Sequence, residues 1–509
     1  MTATWEAGYT VWPVVIPLVA AACTMLIRRR GARRWVMEAA VLLTVVAAVT
    51  LLVRVTAGGT MVMKFGGWGA PFGITFVADS VGALLTATAG VVALAVAVFA
   101  RADVRARRRN AGFDPLFLGM LAAVNGAFLT GDIFNLYVWF ELMLVTAIGL
   151  MTIDRRRDQI DGALRYAPMS MMGATFILVG IALLFGEAGT LDMAHLATVL
   201  GGRPPSMAVT ASGFLLLAGF ALKAGMFPLF FWLPASYHTA PIAVAAALAG
   251  LLTKVAFYAM LRVLVTVFGY GAGGALPGAQ LLLATLAGAT MLVAVLAAIA
   301  QVDVRRLLSF HVLGQVAYLV MALAVASFAG ITAAIFYTVH TMLVQTGLFL
   351  AAGAMQRASG SHDLRAAGGL IREHPYFTGL FAVLALSMSG VPPLSGFWAK
   401  FLVFEAALDA GTVASTFLVV IALVTGVLTL YSMSLLWLRA FWNPRRVGHA
   451  GRRPIPRAML AGVGIIVACT IGIGIAVDPI LGLSRAAAAQ LVGHERSATA
   501  VDGSAEVAP

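Results

Sequence analysis

The sequence has few charged residues and very little lysine. Charged side chains make up 11% of the 509 residues and hydrophobic side chains 61%, a composition that excludes a soluble domain of this length. Of the 34 basic residues only four are lysines, and Lys223, Lys254 and Lys400 lie inside long apolar runs. The sequence therefore predicts an integral membrane protein that places lysine where an ammonium costs about 2.5–3.5 kcal/mol.

Cysteine and cofactor motifs are also scarce. The two cysteines, Cys23 and Cys469, both fall within apolar runs, so a disulfide framework or a metal cluster is not expected. The chain has no GxxxxGK[ST] phosphate loop, no CxxCH motif and no GxGxxG after a strand. We therefore predict no metal and no cofactor, and we expect an ion gradient or a partner to supply energy.

Apolar runs long enough to cross a bilayer occur fourteen times. Their approximate positions are 11–27, 36–55, 74–100, 115–131, 133–152, 166–187, 209–235, 240–265, 280–300, 308–328, 330–355, 376–408, 413–438 and 458–476. This pattern predicts an all-α polytopic membrane protein with about fourteen transmembrane helices. The segment over 484–509 is rich in Ala, Ser and Gly, and we expect it to be disordered.

The distribution of arginine indicates how the spans are oriented. If the N-terminus is outside, 25 arginines fall in inner loops. The basic residues left outside or at outer span ends are Arg54, Lys64, Arg203, Arg262, Arg485 and Arg496. The net charge of +13 then reflects the orientation rule for membrane proteins, and no nucleic acid partner is expected. We predict a multi-pass protein of the plasma membrane with both termini outside.

Two spans are interrupted by proline. Span 7 reads ALKAGMFPLFFWLPAS and contains Pro228, while span 12 reads SMSGVPPLSGFWAKF and contains Pro392 and Pro393. Proline removes a backbone donor, so both helices are predicted to be broken, although two kinked packing helices are the alternative.

The two breaks are five spans apart, and an odd offset gives them opposite orientations, as in an inverted repeat. We predict five-helix repeats formed by spans 4–8 and spans 9–13. The predicted units are three N-terminal spans over 1–114, a first repeat over 115–265, a second repeat over 280–440 and a final span over 456–478.

Ionisable side chains within the spans point to proton movement. Glu141 lies mid-span in NLYVWFELMLVTAIGL, where a carboxylate is costly unless it is paired or protonated. Lys223 and Lys254 lie in the same predicted repeat and are its candidate partners. Because an opposite charge favours the ionised forms and desolvation favours the neutral ones, breaking a Glu141–Lys223 pair would release a proton. A static strut between helices is the alternative.

Other polar residues extend this candidate path. Lys400, just beyond the second break, is either the last proton carrier or an anchor that snorkels to the outer interface. His311 and His340 either relay protons through their ring nitrogens or make packing hydrogen bonds. His238, at the turn between spans 7 and 8, would connect the path to inner water, and Asp79 is either an auxiliary group or a helix cap.

Five segments of the chain resemble a known family. They are GDIFNLYVWFELMLV, GFALKAGMFPLFFWLP, HTAPIAVAAALAGLLTKVAFYAM, SFHVLGQVAYLVMALA and SGVPPLSGFWAKF. These segments are similar to the proton-translocating antiporter-like family, which joins multisubunit Mrp-type Na⁺/H⁺ antiporters to the membrane arm of respiratory complex I. The resemblance runs from about Asp79 to Trp442 and implies fourteen helices with inverted five-helix repeats. The segment DIFNLYVWFE and the length of the chain look most like the D subunits of Mrp antiporters.

The resemblance also implies residue roles. Glu141 matches the glutamate of the fifth helix, and Lys223 matches its partner on the seventh. Lys254 matches the central lysine of the eighth helix, and Lys400 matches the terminal residue of the twelfth. In one branch of the complex I relatives, the residue at that last position is a glutamate. A lysine here therefore argues against that branch.

One position departs from the family pattern. Many relatives carry a lysine where this chain has Gln345. Glutamine can hold a water chain but cannot carry a titrating proton, so the central path would rest on His311, His340 and water.

The expected function is that of a membrane subunit of a multisubunit Na⁺/H⁺ antiporter, a secondary transporter subunit and not an enzyme. The expected partners are a larger homologous subunit, several small membrane proteins, Na⁺, H⁺ and the lipid bilayer. Two alternatives stay open: a proton-pumping membrane-arm subunit of NADH:quinone oxidoreductase, and a non-transporting assembly scaffold.

Overall fold

The fold is helical almost throughout, as a computed structural model describing residues 8–201, 204–269, 274–444 and 454–501 shows. Within these ranges, eleven helices are long and apolar enough to cross a membrane, and three shorter apolar helices accompany them. Every predicted span coincides with one helix or with a pair of half-helices, which confirms the all-α polytopic fold.

The helices are numbered by the span that they form. They are α1 (Trp12–Leu26), α2 (Arg30–Gly58), α3 (Ser80–Asp103), α4 (Phe113–Leu129), α5 (Ile133–Met151), α6 (Arg157–Ala188), α7a (Met207–Ala224), α7b (Trp232–Tyr237), α8 (Ile242–Thr266), α9 (Ala279–Ile299), α10 (Val304–Ala324), α11 (Phe328–Ser359), α12a (Pro375–Ser389), α12b (Ser395–Asp409), α13 (Val413–Trp437), α14 (Arg457–Ile475) and α15 (Val477–Val501). Short helices occupy some of the connections, at Gly8–Thr10, Phe65–Gly67, Ala106–Asn110, Met193–Leu200, Leu370–Glu373 and Leu438–Trp442.

The start of α5 and the start of α10 share one local structure. Asp132 caps α5 by accepting a hydrogen bond from the backbone N–H of Asn135, and Asp303 likewise caps α10. Each aspartate also forms an isolated antiparallel bridge, Asp132 with Asp192 and Asp303 with Asp363. Because α5 and α10 are five spans apart, this recurrence agrees with inverted five-helix repeats. The exact residue limits of the repeats stay a prediction.

Both predicted helix breaks are present. Gly225, which has a φ of 79°, directly follows α7a, and Gly390, which has a φ of 89°, directly follows α12a. Such positive φ values suit glycine and stop a helix. The chain then runs without helical structure past Pro228 to α7b, and past the Pro392–Pro393 pair to α12b. The alternative of two continuous kinked helices is therefore wrong.

The two halves of α12 cross closely. A Cβ placed on Gly396 would lie 1.7 Å from the carbonyl oxygen of Ser387, so only glycine fits at this point. The crossing holds the first turn of α12b directly against the last turn of α12a. The crossing therefore determines the direction of the side chains that lie next to the helix break.

Three helices form the centre of the molecule. The apolar windows of α8, α10 and α11 are completely buried, whereas that of α13 is only 33% buried. Helix α8 packs against α11, and α11 packs in turn against α10 and α12b. The broken helices and the central helices therefore meet in the protein interior, away from lipid.

The segment before α3 differs from the prediction. Met61–Lys64 and Thr75–Ala78 form a two-stranded antiparallel hairpin, with Met61 opposite Ala78. Span 3 is predicted to begin at 74, but α3 begins only at Ser80, after its cap Asp79. The run TFVA combines β-branched and aromatic residues and follows a Gly- and Pro-rich connection, which favours a strand over a helix end.

The expectation of a disordered segment over 484–509 is also wrong where the structure describes it. Helix α15 continues to Val501, and Ala487, Ala488 and Leu491 are buried against the bundle. Alanine is the strongest helix former, and α15 packs on α3 and α11, so composition alone underestimates its order. The residues over 502–509 lie outside the described part of the chain, as do Arg203, Arg445, Arg446, Arg452 and Arg453.

Candidate functional site

The structure places the three intramembrane lysines in one interior row. Lys223 on α7a, Lys254 on α8 and Lys400 on α12b are 8%, 0% and 6% exposed. Helix α7a packs on α8, α8 packs on α11, and α11 packs on α12b. The lysines therefore line a continuous series of packed helices through the centre of the protein.

Glu141 and Lys223 form the first part of this row, but without direct contact. The Lys223 ammonium donates to the carbonyl oxygen and to the hydroxyl of Ser170 on α6, each at 3.2 Å. Glu141 keeps a buried carboxylate oxygen without a hydrogen-bond partner, although its charge acts on Lys223 through space. The expected direct Glu141–Lys223 ion pair is thus absent from the described residues, because Lys223 points to Ser170.

A small cavity of about 20 Å³ lies beside Lys223. Its lining residues are Phe140, Met143, Tyr166, Ser170, Lys223, Trp232 and Leu252. A volume of this size accommodates about one water molecule, and the ammonium and the serine hydroxyl supply polar partners. The space between Lys223 and α5 can therefore hold a hydrogen-bonded water.

Lys254 occupies the centre of the row. Its ammonium donates to the carbonyl oxygen of Ala249 at 2.6 Å and also contacts the side-chain oxygen of Gln345 on α11. The amide nitrogen of Gln345 is buried and has no partner among the described residues. Gln345 therefore joins the two halves of the row by accepting a hydrogen bond.

His340 lies one helix further, at the second break. Its Nδ1 is 2.9 Å from the Ser395 hydroxyl, which is 3.3 Å from the Ser387 hydroxyl. Ser387 lies in the last turn of α12a and Ser395 begins α12b, so the close crossing at Gly396 brings the two hydroxyls together. The result is a short polar chain across the break.

Lys400 faces this same break. Its ammonium donates to the carbonyl oxygen of Ser389 at 2.9 Å and lies 5.2 Å from the centre of the Tyr318 ring. The side chain is buried and points inward. The alternative of an interfacial anchor is therefore wrong.

The other predicted histidines sit at the margin of the lysine row or apart from it. His311 on α10 lies 3.0 Å from the Ser432 hydroxyl and is within electrostatic range of Lys400. His238, in the turn before α8, has its Nδ1 2.7 Å from the carbonyl oxygen of Pro234, and burial lowers its pKa. It lies near the charges that begin α10.

Asp79 has a structural environment. It caps α3 by accepting a hydrogen bond from the backbone N–H of Gly82, and it forms a buried ion pair with Arg262 at 2.7 Å. The sequence assigns Arg262 to an outer span end, but this residue is only 3% exposed inside α8. An aspartate occupied by a cap and by an ion pair has little freedom to carry protons.

Sequence reasoning missed the serines that contact the row. Ser170, Ser387 and Ser395 each contribute to the hydrogen bonds around a lysine or a histidine on another helix. Serine is common in membrane helices, and its partner depends on helix packing. The proline motif of span 12 lies close to Ser387 and Ser395 in the sequence and could have indicated their role. No comparable motif lies near Ser170.

Comparisons with known proteins agree with this architecture. The family model "NADH:quinone oxidoreductase/Mrp antiporter, TM" matches residues 130–429. The D subunit of the Na⁺/H⁺ antiporter of Alkalihalophilus pseudofirmus is 36% identical over 482 residues, which cover 94% of this chain and 96% of that protein.

Two solved structures share the fold over nearly the whole chain. A chain of the Mrp complex from Dietzia sp. DQ12-45-1b superposes with a TM-score of 0.90 at 30% identity, covering 98% of this chain and 99% of that one. A chain of the membrane-bound sulfane sulfur reductase, an archaeal respiratory membrane complex, gives a TM-score of 0.86 at 26% identity, covering 96% and 99%. By these matches and by its broken-helix architecture, the chain belongs to the NADH:quinone oxidoreductase/Mrp antiporter family of multi-pass membrane proteins.

Proposed function

We propose that this chain is the D subunit of a multisubunit Na⁺/H⁺ antiporter of the plasma membrane and that it carries the protons. The similarity to the D subunit of a Na⁺/H⁺ antiporter over nearly the whole length supports this assignment. Resemblance to a chain of the Mrp complex supports assembly with further subunits. The arginine-rich loops support an orientation with both termini outside.

One observation carries the proton assignment. The three buried lysines donate to carbonyl, hydroxyl or amide oxygens, and none of them forms an ion pair among the described residues. An ammonium buried without a counter-ion gives up its proton more readily than one in water. Arginines buried in the same molecule, such as Arg109 and Arg262, are instead neutralised by aspartates.

The first half of the path begins with Glu141 and Lys223. In the geometry described, Lys223 is held by Ser170 and the Glu141 carboxylate lacks a direct partner. Movement of the Lys223 ammonium toward Glu141 would stabilise the charged form of the lysine. Its return to Ser170 would favour release of the proton from Lys223 toward Lys254. A water in the adjacent cavity would bridge the remaining distance.

The second half relies on neutral relay groups. Gln345 contacts Lys254 but cannot change its charge, so a proton leaving Lys254 would pass it through water. His340 and the Ser395 and Ser387 hydroxyls then offer a chain of exchangeable protons across the helix break. Lys400 would receive the proton beyond the break, with His311 adjusting the charge near it.

The proposal is tested by Glu141→Gln and Glu141→Ala in everted membrane vesicles. We expect both variants to abolish Na⁺-dependent proton movement while the complex still assembles. Glu187→Gln is the matched control, because Glu187 is an exposed glutamate at the end of α6 and should leave transport unchanged. Full activity in the Glu141 variants would contradict the assigned role.

A redox-driven proton pump is the second candidate function. Its support is the similarity of the chain to a chain of a respiratory membrane complex, with a TM-score of 0.86. Copurification in mild detergent separates the two functions. Flavin- or iron–sulfur-bearing companions would favour the pump, whereas small hydrophobic companions and one large relative would favour the antiporter.

A further inference from the structure

A second polar region lies away from the lysine row, at the ends of three helices. A cavity of about 400 Å³ opens where α3 and α11 end and α14 begins. Side chains from the segment after α3, from the last turns of α11 and from Met459 on α14 line it. No residue of the lysine row contributes to this lining, so the cavity is a separate site.

Both acidic residues of the cavity contact the same arginine. Arg108 binds Asp154 at 2.7 Å and Asp103 at 3.5 Å, and its hydrogen bonds hold the pKa of Asp154 below its usual value. One guanidinium therefore joins both carboxylates into a fixed wall. Neither carboxylate forms an ion pair with any other arginine in the described chain.

Three further arginines surround the same cavity without such partners. Arg105, Arg107 and Arg357 are exposed, and none makes a side-chain hydrogen bond or an ion pair within the described residues. Two come from the segment after α3 and one from α11, so separate elements converge on one opening. The cavity thus combines three available guanidinium groups with a wall in which one arginine holds two aspartates. Its four arginines outnumber its two aspartates, so the cavity keeps a net positive charge.

This arrangement suits a phosphate group. Guanidinium forms paired, charge-assisted hydrogen bonds with phosphate oxygens, and basic pockets between transmembrane helices bind phospholipid headgroups. The volume falls in the usual range for small-ligand sites. The cavity also lies at helix ends on the arginine-rich face, beside the apolar side chain of Met459.

We propose that Arg105, Arg107 and Arg357 bind a phosphate-bearing anion in this cavity, and that the headgroup of an anionic phospholipid supplies it. A soluble phosphate compound has the same recognition chemistry but no reason to prefer helix ends at the membrane surface. The site would fasten α3, α11 and α14 to the surrounding lipid and to one another.

The test compares the complex carrying Arg105→Gln, Arg107→Gln and Arg357→Gln with the wild-type complex in a mild detergent. Phosphatidylglycerol, phosphatidylcholine or inorganic phosphate is added, and thermal unfolding and bound lipid by native mass spectrometry are measured. The matched control carries Arg28→Gln, Arg157→Gln and Arg306→Gln, which remove the same charge from other exposed positions on the predicted inner face. The single variant Arg357→Gln serves if the triple variant fails to assemble.

We expect phosphatidylglycerol to bind and stabilise the wild type and the control, and to bind the cavity variant at least about tenfold more weakly. Phosphatidylcholine and inorganic phosphate should have little effect. Equal binding of phosphatidylglycerol by the cavity and control variants would overturn the site. Stabilisation by inorganic phosphate that matches and competes with the lipid would overturn the lipid assignment in favour of a soluble phosphate compound.

Discussion

At the scale of single residues, lysine without a direct ion pair distinguishes the interior row from the other buried charges. Arg262 and Arg109 are buried with aspartate partners and serve as fixed ion pairs. Lys223, Lys254 and Lys400 are held only by neutral oxygens in the described part of the chain. Since a lysine can lose its proton and an arginine effectively cannot, this difference in pairing supports the proton-carrying role proposed for the lysines.

Replacement of Lys223 by arginine tests whether proton loss matters. The Lys223→Arg variant keeps the positive charge and hydrogen-bonding capacity near Ser170, but its guanidinium stays protonated. We expect Na⁺-dependent proton movement in vesicles to fall to background while the complex remains assembled. A variant that transports as well as the wild type would show that Lys223 acts only through its charge.

Replacement of Gln345 by glutamate tests the centre of the row. Because Lys254 contacts the side-chain oxygen of Gln345, Gln345→Glu would give Lys254 a buried counter-ion with almost no change in shape. We expect this ion pair to hold Lys254 in its charged form and to abolish transport. Gln345→Met, which leaves Lys254 unpaired, should retain more activity than Gln345→Glu, and the reverse order would contradict this interpretation.

Residue-scale contacts were also the hardest to predict from the sequence. The apolar surroundings of Glu141 and the three lysines identified them as buried ionisable groups. No pattern indicated that Lys223 would turn to Ser170, because that contact depends on how α6 and α7a pack. Likewise, the proline motif predicted the break at Pro392, while the approach of His340 to Ser395 depends on the crossing of two half-helices.

At the scale of helices and loops, the crossing within α12 depends on a glycine. Gly396→Ala would place a methyl group 1.7 Å from the Ser387 carbonyl oxygen, so the half-helices would have to separate. We expect destabilisation of about 1–3 kcal/mol, measured by thermal unfolding in detergent. Gly464→Ala on α14 is the control, since nothing lies within 4 Å of its added methyl group, and it should be neutral or slightly stabilising. Equal unfolding temperatures would refute the close crossing.

The loop before α5 has its own pH dependence. Burial, with a smaller contribution from the neighbouring Asp192 carboxylate, raises the pKa of Asp132 from 3.8 to about 6. A carboxyl group that holds its proton more tightly when folded stabilises the fold at low pH, and this stabilisation is lost as pH rises through about 6. Asp132→Asn keeps the helix cap but removes the charge. We therefore expect thermal stability to fall from about pH 5 to about pH 7.5 in the wild type and to fall less in the variant; equal slopes would contradict this.

Element-scale features divide into those set by composition and those set by packing. Proline and glycine determine where α7 and α12 break, so both interruptions could be predicted. The hairpin over Met61–Lys64 and Thr75–Ala78 escaped prediction because its second strand continues directly into an apolar helix. Helix α15 escaped because its burial on α3 and α11 cannot be inferred from an alanine-rich segment.

At the scale of the whole molecule, the periodic placement of apolar runs specifies the architecture. Each of the fourteen predicted spans has its helix or pair of half-helices in the described residues. The similar caps at Asp132 and Asp303 agree with the repeat that the odd offset between the breaks predicts. Central helices α8, α10 and α11 are completely buried, and the three lysines of the row are buried with them. The fold thus separates an interior suited to proton movement from a surface suited to lipid phosphate.

The most direct measurement of the central claim is the pH change inside proteoliposomes that contain the complex and are given a Na⁺ gradient. Lys254→Met removes the central ammonium with little change in volume, and Lys64→Met removes the one lysine that lies outside the row and is exposed. We predict a Na⁺-driven pH change for the wild type and for Lys64→Met, and none for Lys254→Met. An undiminished pH change with Lys254→Met, in a complex shown to be intact, would contradict proton movement through this row.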